Sequence, residues 1–204
     1  MIHQKAMALS GIASLALCAG AAHATFVPFF QITNNGNADV SGQIILEITD
    51  LGGGIVSFDL SNAGPLASTF AMFNIQDNDD LFSDMTAVID SAGVDFEEDA
   101  PPGNLPGGNS VSFVSAWGST AEPPPAQKGV DPGESVELRL SLAAGKTFAD
   151  VDAAIISGAL RGGVHVISIE EGGSESYVSN PPVPTPGTLA LAAIGMIGAA
   201  RRRR

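Results

Sequence analysis

Ser135-Val136-Glu137-Leu138-Arg139-Leu140-Ser141-Leu142 is the run that decides the fold. Val136, Leu138, Leu140 and Leu142 share one side of an extended chain; Glu137, Arg139 and Ser141 share the other. Successive side chains of a strand point to opposite faces, so this strict period of two predicts a half-buried β-strand. The same period recurs on either side. Between Ser41 and Asp50, Ile44, Leu46 and Ile48 face one way, against Gln43, Glu47 and one apolar exception, Ile45. Leu51-Gly52-Gly53-Gly54 then supplies a turn, and Ile55 to Ser61 returns with Val56, Phe58 and Leu60 on one face, which predicts a hairpin.

Weaker segments complete the set. Phe26 to Thr33 reads as one edge strand, and Phe70 to Ile75 as an aromatic-rich one. Thr86 to Asp90, Val94 to Glu98 and the VSFVSAW stretch within Ser110 to Trp117 are further strand candidates. Val164 to Ile169 sets Val164, Val166 and Ser168 against His165, Ile167 and Ile169, and Ser176 to Ser179 closes the sheet. One helix is expected. Thr147 caps it with Asp150 three residues on, Phe148, Val151, Ala154, Ile155 and Ile156 give helical spacing, and Gly158 stops it. Pro- and Gly-rich loops at Pro101 to Gly108 and Glu122 to Gly133 punctuate the strands. The expectation is an all-β protein: an antiparallel β-sandwich or jelly-roll-like domain with one short helix.

The chain's two ends read as signals. Lys5 precedes a small and apolar run from Ala6 to Ala22, and Ala22-His23-Ala24 is an A-x-A cleavage pattern, so residues 1–24 form a secretory signal peptide cut before Thr25. A lipoprotein at Cys18 is the competing reading, but Leu17 is too large for the position before a lipidated cysteine. At the other end Val183-Pro184-Thr185-Pro186-Gly187 precedes an uncharged apolar run, Thr188 to Ala200, and then four arginines. As a helix that run measures only about 20 Å, short of the roughly 30 Å hydrocarbon core. Arginines hold the end in the cytoplasm. The expected organisation is a β-sandwich over 25–180, a linker over 181–187, a short transmembrane helix over 188–200 and a basic cytoplasmic end over 201–204.

All 22 acidic residues lie in the central domain, opposed there only by Lys128, Arg139, Lys146 and Arg161. Nucleic acid and anionic lipid are poor partners for such a surface. Acid also keeps an exported domain soluble.

On these residues the tail resembles the PEP-CTERM sorting signal of Gram-negative bacteria: a Pro-Glu-Pro triplet, a short apolar helix and an Arg-rich end. Pro184 and Pro186 match its prolines, Thr185 stands where the triplet has glutamate, Gly187-Thr188-Leu189-Ala190 matches the usual continuation, and Arg201, Arg202, Arg203 and Arg204 match the basic end. The resemblance implies Sec-type export and recognition by an exosortase, a membrane cysteine transpeptidase that cuts near the triplet. It also implies at least transient residence in the inner membrane, then the cell envelope, cell surface or extracellular matrix. A second likeness spans about Val40 to Asn180. It is carried by Gly103-Asn104-Leu105-Pro106-Gly107-Gly108-Asn109, Asp131-Pro132-Gly133-Glu134-Ser135, Lys146 to Val151, Gly163 to Val166 and Ser174-Glu175-Ser176. It resembles domains found ahead of such tails, and implies a β-sandwich surface domain with no reaction.

Chemistry-bearing residues are few. After removal of the signal peptide the only histidine is His165 and no cysteine remains, so zinc-type sites built on His and Cys are excluded by counting, and any Ser-His-Asp arrangement runs through His165. Asp77, Asp79 and Asp80 are calcium-ligand candidates by their hard oxygens, and Asp95 to Asp99 is a second acidic stretch; the alternative is a solvated acidic loop. The spacing around Asp77 lacks the turn glycine and closing glutamate of a calcium loop. Gly52-Gly53-Gly54 is no phosphate loop, because no Lys-Ser/Thr follows it. Trp117 and Tyr177 either stack on sugars or pack the core. No cofactor is required. The reading is a non-enzymatic exported protein of the cell envelope or extracellular matrix with a structural or adhesive role, exopolysaccharide being its candidate partner. The alternatives are a secreted polysaccharide-acting enzyme and a calcium-dependent carbohydrate-binding module. Amino-terminal sequencing of the exported protein is expected to return Thr25 first; a lipid-modified Cys18 there would overturn the signal-peptide assignment.

Overall fold

The computed structural model describes residues 24–97, 103–170 and 172–179. Ten strands form two five-stranded antiparallel sheets. The first runs β1 (Ala24–Phe26), β3 (Ile44–Gly52), β4 (Ile55–Asn62), β8 (Ser135–Leu142), β6 (Phe82–Asp90). The second runs β2 (Phe29–Gln31), β10 (Gly173–Ser179), β9 (Leu160–Ile169), β5 (Thr69–Asp77), β7 (Trp117–Thr120). The expected all-β sandwich is therefore the fold, and the strict alternators supply its core. Ile44, Leu46 and Ile48, Val56, Phe58 and Leu60, and Val136, Leu138 and Leu140 are all buried. They face Phe73, Ile75, Val164, Val166 and Tyr177 of the second sheet. The Gly52-Gly53-Gly54 turn works because all three residues take positive φ, open to glycine at no steric cost.

The helix also forms as expected. A four-residue helix, α1 (Pro125–Lys128), precedes it in the proline-rich loop. In α2 (Phe148–Ser157), the Asp150 carboxylate accepts from the Thr147 backbone N–H and hydroxyl, both at 2.8 Å, and Gly158 closes the helix at φ 78°. Those donors and nearby Lys146 hold the Asp150 carboxyl below its ordinary range. Val151, Ala154 and Ile155 plug the sandwich.

Three expectations change. The Phe26 to Thr33 segment is not one strand: it divides at Val27-Pro28 and gives a short strand to each sheet. Proline has no N–H for the ladder, so the chain crosses there. Val94 to Glu98 contributes only a bridge from Phe96 to Ala121. Ser110 to Trp117 is not a strand; Gly108–Val111 is a 3-10 turn and Ser112 is left-handed at φ 53°. This segment lies over the outer face of the second sheet instead. Leu105, Phe113 and Val178 make a small second core there. Phe113 reaches the sheet because Gly163 has no side chain; a Cβ there would come within 2.7 Å of the ring. Arg161 lies over the same ring, 5.6 Å from its centroid, and donates to the Ser112 and Val111 carbonyls at 3.0 and 3.2 Å. Those carbonyls are thus satisfied without a ladder.

The alternation of β9 also breaks at its end. Ser168 takes φ 54°, so Ile169 rather than Ser168 turns into the core. The ladder shifts there, Ile167 and Ser168 of β9 standing against the single Ser174 of β10, so the extra residue is on β9; the next residue of β10, Glu175, is wholly buried. Its carboxylate accepts from the Thr33 hydroxyl at 2.6 Å, the Asn35 N–H at 2.7 Å and the Asn37 side chain at 3.0 Å. Burial alone pushes this carboxyl up, but those donors outweigh it and hold it below the ordinary glutamate range. Glu175 therefore pins loop 33–37 to β10. A folded pKa below the unfolded one adds stability that is complete above the glutamate range and fades as pH falls through the folded value. Glu175→Gln is expected to lose about 2 kcal/mol at neutral pH. Denaturant melts across pH should show the wild-type advantage shrinking in acid; an equal advantage at every pH would refute the role.

Candidate functional site

Three places bring ionisable side chains together, the second and third of them singled out by the sequence. The first is the outer face of the first sheet. Its register aligns one residue from every strand in a row: Phe26 of β1, Glu47 of β3, Asp59 of β4, Glu137 of β8 and Ile89 of β6. Three carboxylates thus sit side by side across neighbouring strands, with exposed Phe26 and Ile89 at the ends. The adjoining row is Thr49, Ser57, Arg139 and Ala87. Arg139 donates from Nε to Glu137 at 2.7 Å, and Ser57 donates to the same carboxylate at 2.7 Å. Burial pushes Glu137 up, but these two donors outweigh it and hold its carboxyl below the usual range. Asp59 has no such relief. Burial first, then the charges of Glu137 and Glu47, push its carboxyl up. One row thus holds two acids displaced in opposite directions, on an open face and not in a cleft.

The second place is His165. It lies directly across from Ser176 on β10, with Nδ1 and the hydroxyl 3.0 Å apart. Ser176 is completely buried, so no substrate reaches its hydroxyl. Burial depresses the histidine against a weaker opposing pull from Glu175, which leaves the ring neutral at neutral pH. The pair cross-links two strands. Tyr177 is likewise core and not a sugar platform: it is fully buried, and its hydroxyl oxygen accepts from the Val40 N–H at 3.2 Å.

The third is the acidic turn after β5. Asp77 directs both carboxylate oxygens at backbone, accepting from Leu81 at 2.8 and 3.0 Å and from Phe82 at 3.1 Å. It holds the turn. Asp79 and Asp80 are exposed, and Lys146 donates to the Asp79 carbonyl at 2.8 Å. In the second acidic stretch Asp95 pairs with Lys128 at 2.7 Å. Among the described residues no group of three or more His, Cys, Asp or Glu is arranged around one metal position.

Of the signal residues, Ala24 opens β1, whereas Ala22, Pro184, Thr185, Pro186, Gly187 and Arg201 to Arg204 lie outside the described residues. So do residues 188–200; among the described residues no helix is long and apolar enough to cross a membrane. What the structure does give is the point of departure. β10 ends at Ser179, which pairs with Phe29, and the Ser179 hydroxyl oxygen accepts from the Gly162 N–H at 2.8 Å.

A sandwich whose last strand runs straight into a sorting segment defines a carrier class: a folded domain delivered by its tail. The particular tail is the PEP-CTERM protein-sorting motif, whose family model matches residues 182–204. The motif implies export, sorting by an exosortase and a destination in the cell envelope or at the surface. No curated protein and no solved structure matches the chain.

Sequence alternation marked Glu47 and Glu137 as outward, but it did not bring Asp59 between them, because the β4–β8 pairing is non-local. The Glu175 anchor left no sequence signal. Like charges directly opposite on a sheet are destabilising by a few tenths to about 1 kcal/mol, reduced here by solvent screening. A folded pKa raised above the unfolded one gives stability that is present at low pH and lost as pH rises through the folded value. Asp59→Asn is therefore expected to melt about 1–3 °C higher than wild type at neutral pH and to match it in acid, below the ordinary aspartate range. Calorimetry at both pH values checks this; a variant that melts lower at neutral pH would refute the repulsion.

Proposed function

We propose that this protein is a non-catalytic structural or adhesive component of the cell envelope or extracellular matrix, exported through a Sec-type route and processed at Pro184-Thr185-Pro186. The observation that carries this reading is the sorting motif beginning at 182, three residues past a strand buried on both faces. The adhesive part rests on the open face of the first sheet. Its short Thr and Ser side chains, three carboxylates and flanking Phe26 and Ile89 offer hydrogen bonds and apolar contact to a neutral polysaccharide. Its charge repels nucleic acid and anionic lipid.

The apolar run after Gly187 acts as a transient span, with the arginines as its cytoplasmic stop. In a host carrying an exosortase, mass spectrometry of the exported protein is expected to find the Arg204 end gone. Replacing Pro184 and Pro186 together by Ala should leave full-length protein in the inner membrane. An intact Arg204 end throughout the exported wild type would reduce the tail to a plain anchor and overturn the reading.

A further inference from the structure

The geometry points to a docking surface for the processing transpeptidase on the folded domain itself, at the pole where β10 ends; this rests on the sorting reading above. The pole carries an open concavity of about 430 Å³ lined by Phe26, Pro28, Phe29, Ile44, Ile45 and Leu46. Phe26 is 59% exposed and Ile45 36%. Both are large apolar side chains at the β1–β3 edge, where β1 covers only Glu47 to Thr49, so that Ile44 to Leu46 pair with β4 alone. The domain's last strand ends beside this concavity. Ser179 pairs with Phe29, and β10 runs antiparallel to β2, so the chain leaves Ser179 in the direction of Pro28.

Chain length keeps the enzyme close to this pole. From Ser179 to Pro184 is five residues, at most about 17 Å when fully extended. A domain of this size has a radius of gyration of roughly 15 Å. An enzyme that grips Pro184-Thr185-Pro186 therefore works within one domain radius of the pole. Local fraying does not lengthen the tether readily, because β10 is held by Tyr177 and Val178, both wholly buried, and by the Ser179 hydroxyl. The partner is a membrane-embedded protein, whose surface near the bilayer is apolar and suits Phe26 and Ile45 better than water does. The surface adds recognition beyond the Pro184-Thr185-Pro186 triplet, whose central Thr185 stands where the family signal has glutamate.

The test uses the full chain in a host carrying an exosortase, with loss of the Arg204 peptide followed over time. Phe26→Thr with Ile45→Thr keeps strand propensity and removes the apolar contact. The pair is expected to slow processing several-fold, while the melting temperature of the exported domain stays near that of wild type. Inserting eight Gly/Ser residues after Asn180 adds about 15 Å of reach, and in that extended chain the same pair should have no effect. Equal processing of native-length wild type and variant would overturn the proposal, as would an equal slowing in the extended chain. Faster processing of the variant would overturn it in favour of the tail itself lying in the concavity. A wild-type dimer in sedimentation that the variant loses would overturn it in favour of a second copy. If wild type is not cut at all, the sorting reading falls and this surface with it.

Discussion

Tyr177 and Val178 are adjacent in sequence, lie on opposite faces of β10, and neither is exposed. Tyr177 belongs to the core between the sheets, and Val178 to the small core under Leu105 and Phe113. Two faces can be dry only if something covers the outside of the sheet, and the 103–116 segment does that. This double burial organises the second sheet. It makes room for Phe113 at Gly163, places His165 and Ser176 as a cross-strand pair, and puts Glu175 where only a hydrogen-bonded carboxylate is tolerable. Because Glu175 is satisfied by loop 33–37, the same strand also fixes the path between β2 and β3. A strand held in this way resists being pulled from its end, and its end is where the tail begins.

The two sheets therefore have different outer faces. One is roofed by a loop over Asn74, Gln76 and Arg161; the other has no such roof among the described residues and carries its outward carboxylates in register. Bare antiparallel faces are ordinary when polar. Three acids in one row are not the cheapest way to be polar, since a lysine in the middle would remove the repulsion at Asp59. The sandwich accepts that cost at a surface open to large partners, while the buried Ser176 hydroxyl beside half-buried His165 is shut away from them.

The legible part of the fold was its local part. Val136 to Leu142, Ile44 to Ile48 and Val56 to Leu60 each carry their inward face in their own alternation, and the Thr147–Asp150 cap and Gly158 stop are read from one short window. The VSFVSAW stretch alternates too, yet it is a roof, because its partners are Gly163 and Arg161 some fifty residues away. Period two records that alternate residues are buried; it does not say whether a ladder or a second core buries them. The carboxylate row failed for the same reason: its members are visible one by one, and their adjacency is a property of pairing. The tail was legible because it is a linear signal, read by order and composition and not by packing.

That contrast bears on how tail and domain work together. A linear signal can be attached to any fold. Attachment three residues beyond a doubly buried strand removes part of that independence. A long linker would make the cutting step blind to the domain. A tether of at most about 17 Å makes the folded pole part of what the membrane enzyme meets, so an unfolded domain, with β10 loose and the Phe26–Ile45 surface dispersed, presents a different substrate from a folded one. Under the proposed docking, the short length between Ser179 and Pro184 ties the folding state of the sandwich to the processing of its tail.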